Sequence, residues 1–238
     1  MTARRPRIMA AGLVLLLAGC AAAPQIPEWR LDWQQALEQG RLADLQGRER
    51  VARLQWIRAR EAAAAAADAD ALVQVALWRC VIRLAAAQPG VCPEAGDALP
   101  DASPHLQAYA AWLQGAEPPA ALTERGPFAA PRIVAALGSS ASPSQVVAAL
   151  THVPDPLSRL VVGGWLWQAG RLPPEGVALM VETAAQQGWR RPLAAWLAVQ
   201  QRWAQRAGDT ALAERAARRL HWLLGWPPAA APRPETSP

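Results

Sequence analysis

The chain has 238 residues and a formal net charge of +5, and all of its basic side chains are arginine. Three of the 24 arginines lie before residue 20, which leaves 21 against 19 acids and a net charge of only +2. That balance argues against nucleic acid as a partner, because phosphate binding calls for a concentrated basic surface.

The chain opens on Arg4, Arg5 and Arg7, followed by an apolar run from Ile8 to Leu17. A run of this length falls short of the roughly 20 residues that cross a hydrocarbon core, but it suits the apolar region of a signal peptide. It closes on Leu17-Ala18-Gly19-Cys20, which resembles the lipobox of bacterial lipoproteins. The resemblance implies that the Cys20 thiol carries a diacylglycerol, that residues 1–19 are removed as a signal peptide, and that the new amino terminus is acylated in turn. Acyl chains buried at ~0.8 kcal/mol per CH₂ would hold such a chain on a membrane. Ala21 stands where that family uses Asp for inner-membrane retention, so the expected address is the outer membrane, facing the periplasm. Residues 20–27 then form the lipidated cysteine and a short tether. The seven residues after Cys20 reach at most ~25 Å when extended, so the folded part should stay near the membrane surface.

Two cysteines remain, Cys80 and Cys92. In an exported chain an even pair of thiols reads as a structural disulfide. Closing a loop of this size would stabilise the fold by roughly 3 kcal/mol in the chain-entropy account.

The periodicity is helical throughout, and an all-α fold is expected. Pro27-Glu28 opens a helix through Trp29, Trp33 and Leu37 that should stop at Gly40. A second pattern runs from Leu42 to about Ala67, with apolar positions at Leu42, Leu45, Val51, Leu54 and Ile57, and Gly47 as an interruption. Asp68 and Asp70 then look like the cap of a helix whose stripe is Val73, Ala76, Leu77, Cys80, Leu84 and Ala87. A further helix follows Ser103-Pro104, and shorter pieces are expected at 118–125 and 131–137. Residues 28–137 make an N-terminal helical region on this reading, and 138–144, Gly-Ser-Ser-Ala-Ser-Pro-Ser, a hinge.

Ser142 to Gln145 spells a capping box that opens the C-terminal region, residues 143–226. From Asp155 four helices are expected, opened by Asp155-Pro156, Pro173-Pro174, Pro192 and Asp209-Thr210 and stopped near Gly170, Gly188, Gly208 and Gly225, and landmarks such as Gly188-Trp189 and Gly225-Trp226 recur about 37 residues apart. The pattern is an array of antiparallel helical hairpins. It resembles tetratricopeptide arrays in unit length and in the turns Gly40-Arg41-Leu42 and Gly170-Arg171-Leu172. That resemblance implies an α-solenoid used as a binding scaffold; an irregular helical bundle would carry the same periodicity. Residues 227–238, rich in proline, should be a disordered tail.

Catalytic and metal signatures are missing from the sequence. His105, His152 and His221 are widely separated and stand at no ligand spacing, so neither metal nor cofactor is expected. Asp68 with Asp70 and Asp97 with Asp101 are carboxylate pairs, but their places at helix starts or in loops suit capping better than glycoside hydrolysis. The twelve tryptophans fall mostly at helical core spacing, with Trp189 and Trp226 closing hairpins. One face stands out by charge: Arg202 and Arg206, then Arg215, Arg218 and Arg219, repeat at three- and four-residue steps on the last two helices. It could meet anionic headgroups or an acidic partner. The expected function is therefore a non-catalytic helical scaffold, anchored by lipid to the outer membrane, that engages an envelope protein. The alternative is a peptidoglycan-binding or peptidoglycan-processing lipoprotein, which would call for exposed tryptophans beside paired carboxylates.

Overall fold

The structure, a computed structural model, describes residues 26–88, 93–116 and 129–225. The leader, Cys20, most of the tether, Cys92, the piece expected at 118–125, Trp226 and the tail at 227–238 lie outside the described residues. Among the described residues every regular element is helical. In order these are α1 (Glu28–Leu45), α2 (Glu49–Ala65), α3 (Ala69–Ala85), a 3₁₀ segment over Pro93–Asp101 broken at Gly96, α4 (Pro104–Leu113), α5 (Ala130–Leu137), α6 (Pro143–His152), α7 (Pro156–Gln168), α8 (Pro174–Gln186), α9 (Arg190–Ala207) and α10 (Thr210–Gly225). None of the described helices is long and apolar enough to cross a membrane.

Among the described residues, four helix starts are set by side-chain caps that the sequence marks. Asp68 accepts from the Ala71 amide at 2.8 Å, Asp155 from Ser158 at 2.7 Å and Asp209 from Leu212 at 2.9 Å, each satisfying an N–H that the first turn leaves without a helical partner. Ser142 and Gln145 form the reciprocal capping box. At the other end of α9, Gly208 takes a left-handed conformation with φ +74°, which costs a residue without Cβ nothing.

The first hairpin departs from the expected pattern in two ways. Helix α1 does not stop at Gly40 but continues to Leu45, and the chain turns at Gly47 instead. Gly40 has a packing role: a Cβ there would lie 3.0 Å from the Trp56 indole, so the missing side chain makes room for that ring. The larger aliphatic residues of the second pattern also point the other way. Leu42, Val51, Leu54 and Ile57 are exposed, and of that set only Leu45 is buried. The seam between α1 and α2 is built from Ala36, Gly40 and Ala43 against Ala52, Trp56, Ala59 and Ala63. Small residues let two helix backbones approach closely, and one indole fills what remains. A reading weighted by side-chain size picks the wrong face.

The third helix behaves as expected. Val73, Ala76, Leu77, Cys80, Leu84 and Ala87 are all buried. Cys80 is disulfide-bonded, and its side chain lies on the core face of α3. This helix is the centre of the molecule: it touches α1, α2, the 3₁₀ segment, α4 and α7. Helix α7 in turn packs on α5, α6 and α8, while α9 contacts α8, α10 and α1. The hairpins α7–α8 and α9–α10 follow the 37-residue rhythm, yet α7 on α3 and α9 on α1 join segments far apart in the chain. In an open solenoid each unit touches only its neighbours. Here the array closes into a bundle with one core.

Aromatic rings hold the middle of that core. Trp112 stacks on Trp165 with centroids 6.2 Å apart, Tyr109 lies 5.3 Å from Trp112, and Trp167 meets Trp196 edge-on at 6.5 Å. Tyr109 is the single tyrosine of the chain and is 1 % exposed. Burial pushes its phenol well above the usual tyrosine range, since the charged form would lose its hydration. A raised folded-state pKa means stability that is intact below about pH 10 and lost as the pH rises beyond it, where the unfolded chain ionises first, at ~1.4 kcal/mol per unit. Tyr109→Phe should remove that slope in alkaline unfolding titrations. In the wild type, tyrosinate absorbance should appear only together with unfolding. Tyrosinate forming near pH 10 in the still-folded protein would refute this.

Candidate functional site

A groove of about 790 Å³ lies between α2 and α3, closed at one end by the start of α9 and flanked by the 3₁₀ segment. Its apolar lining comes from Ala52, Trp56 and Ile57 on α2 and from Leu72, Val75 and Ala76 on α3. Around this strip stand five arginines: Arg53 and Arg60 on α2, Arg79 and Arg83 on α3, and Arg191 on α9. Three carboxylates share the lining, Asp44, Glu49 and Asp97.

Two of those acids are already engaged. Arg191 makes a 2.9 Å ion pair with Asp44 and a 3.5 Å pair with Glu49, and its Nε donates to the Asp44 carbonyl at 3.2 Å. The other Asp44 oxygen accepts from the Trp56 indole N–H at 3.1 Å. Asp44, 9 % exposed, thus ties α1, α2 and α9 together at the closed end of the groove. Arg53, Arg60 and Arg83 have no ion pair among the described residues, and Asp97, on the 3₁₀ segment, is exposed. The groove therefore presents an apolar strip between guanidinium groups, a surface suited to anionic side chains carried beside apolar ones.

Sequence reasoning did not find this groove. Residues 28–83 hold nine arginines and eight acids, a near-balance that hides it. The available signal was spacing: Arg53 with Arg60 repeats at two helical turns and Arg79 with Arg83 at one, on consecutive helices.

The basic face expected at the C-terminus is present as a surface. Arg202, Arg206, Arg215 and Arg218 are exposed and Arg219 is half-buried, on the paired helices α9 and α10. Arg218 lies 3.5 Å from Glu214, a solvent-exposed pair of the kind worth ~0–1 kcal/mol. Trp222, 58 % exposed, and Leu224 stand on the same helix, α10.

Of the other candidates, the first carboxylate pair has structural employment. Asp68 caps α3, and Asp70 accepts from the Ser103 amide at 2.6 Å, tying α3 to the start of α4. Asp97 and Asp101 are exposed and make no ion pair among the described residues. His105 and His221 are exposed, and the His152 Nδ1 lies 2.7 Å from the Ala148 carbonyl. Among the described residues no three His, Cys, Asp or Glu side chains are placed to hold a metal ion. Gly163 and Gly164 lie inside α7, where each allows close packing. Of the described tryptophans only Trp222 is exposed; Trp33, Trp56, Trp112 and Trp196 are buried and the others half-buried.

No protein-family model, curated protein or solved structure matches this chain.

Proposed function

We propose that this protein is a non-catalytic helical scaffold, lipid-anchored through Cys20 to the outer membrane and facing the periplasm, that binds an envelope protein. The observation that carries the reading is where the aromatic and charged residues lie. The indoles are spent on the core, while the accessible concavity and the last hairpin are lined with arginine. A glycan-binding surface would need stacked, open rings beside paired acids, whereas Asp68 and Asp70 are occupied by backbone amides. Exposed Trp222 on α10 favours the peptidoglycan alternative, as do the exposed carboxylates of Asp97 and Asp101.

Crosslinking in intact cells followed by recovery of the full lipoprotein from envelope membranes tests this directly. A protein partner should be recovered from the membrane fraction, and Cys20→Ala should release the chain from that fraction and lose the partner. Recovery of sacculus fragments with no protein would replace the scaffold reading with the peptidoglycan one, and Trp222→Ala would then abolish the recovery.

A further inference from the structure

We infer that the α2–α3 groove is the docking site for an acidic amphipathic segment of the partner protein; the inference deepens the scaffold reading and rests on it. Three features select this occupant. The α3 wall of the groove runs from Leu72 to Arg83, about 16 Å at 1.5 Å per residue or roughly three helical turns, apolar at Leu72, Val75 and Ala76 and basic at Arg79 and Arg83. On both walls lie guanidinium groups, and Arg53, Arg60 and Arg83 have no carboxylate within ion-pair distance among the described residues. Ile57, on the α2 wall, is 48 % exposed although it is aliphatic and lines the concavity. A helix or strand with Leu-like side chains on one face and Glu or Asp beside them would cover Ile57 and Leu72 while supplying the missing carboxylates.

No carboxylate of the described residues pairs with Arg53, Arg60 or Arg83, and the rest of the chain offers little net negative charge. The segment 117–128 carries two Glu and one Arg, the tail 226–238 one of each, residues 89–92 none, and the leader is positive. The closed end explains why the site can persist empty of charge. Arg191 is held by Asp44 and Glu49, and Asp44 is held by Trp56, so the groove wall is fixed before any ligand arrives.

The test uses the full lipidated chain in neutral-lipid nanodiscs. The probe is a fluorescein-labelled peptide of about twelve residues, with Glu and Leu on adjoining faces of a helix, set against its Gln counterpart. Anisotropy should show the Glu peptide binding at least tenfold more tightly than the Gln peptide. The variant Arg53→Gln, Arg60→Gln, Arg83→Gln should weaken it tenfold or more. Ile57→Glu, which keeps every arginine and alters one exposed side chain, should weaken it to a similar degree. Replacing Arg202, Arg206, Arg215, Arg218 and Arg219 by Gln should leave binding within twofold. Binding that survives the triple variant, or that is lost only in the α9–α10 variant, would overturn the assignment. So would its abolition when phosphatidylglycerol is added to the nanodisc, because the groove would then face headgroups. The two readings fail separately: if the triple variant still recovers the same crosslinked partner from envelopes, the groove is wrong and the scaffold stands, whereas recovery of sacculus fragments with no protein overturns the scaffold itself.

Discussion

Gly164→Ala should destabilise the protein by ~1–3 kcal/mol, although replacing a helix-interior glycine by alanine ordinarily gains up to about 1 kcal/mol. The reason lies in what a Cβ would meet. Built on the Gly164 backbone, it would stand 1.9 Å from the Leu84 carbonyl oxygen and 2.8 Å from the carbonyl carbon, and neither can swing aside because both belong to α3. To admit one methyl group α7 must lift off α3, and these two helices join the first part of the chain to the second. Gly163→Ala is the matched control. Its Cβ would meet the Met180 sulfur at 2.2 Å, but methionine is unbranched and can rotate away, so the loss should be clearly smaller. Urea unfolding followed by tryptophan fluorescence reads both, as a fall in midpoint with the slope preserved. A Gly164→Ala protein as stable as the wild type would mean that α7 and α3 do not meet at this point.

Gly163-Gly164 also shows what could be read from the sequence and what could not. A glycine pair inside an apolar helical pattern signals close packing, and close packing is what the two residues provide, but nothing local names α3 as the partner. The same division runs through the chain. Caps at Asp68, Ser142, Asp155 and Asp209 depend on a few neighbouring residues and were legible as spelled. So was the stripe from Val73 to Ala87, because on α3 the large residues and the buried residues coincide. In the first hairpin they do not coincide. There the buried face is alanine and glycine around one tryptophan, and Leu42, Val51, Leu54 and Ile57 face solvent, so a size-weighted pattern inverts.

The groove was hidden for a related reason. Its arginines come from three helices, and only the packing of α2, α3 and α9 gathers them. The basic residues of α9 and α10 were visible because they are consecutive along the chain. Visibility in a sequence favours local clusters, while a concave site is built from distant ones. The exposed apolar residues of α2 and the gathered arginines are thus two parts of one omission. Each looked ordinary alone, as a helix stripe and as a balanced charge count, and together they make the surface most able to hold a partner.

The second large effect is expected at Trp196, where α9 is fastened to the end of α3. Its side chain is fully buried, and the indole N–H donates to the carbonyl of Ala85 at 2.8 Å. Ala85 closes α3, so its carbonyl is one of those a helix end leaves without an internal partner. Trp196→Ala removes the ring and the donor together and should cost ~3–5 kcal/mol. Trp196→Phe keeps much of the apolar volume and the contact with Trp167 but leaves the Ala85 carbonyl unpaired, which should cost ~1–3 kcal/mol. The difference between the two separates packing from hydrogen bonding. Arg191 lies five residues earlier on α9, so loosening this anchor should also loosen the ion pairs to Asp44 and Glu49 that close the groove. Amide hydrogen exchange in Trp196→Phe should accordingly speed up in α9 and at the Asp44 turn before it changes in α4. If both variants unfold at the wild-type urea concentration, Trp196 does not fasten α9 to α3, and the bundle must be held closed elsewhere.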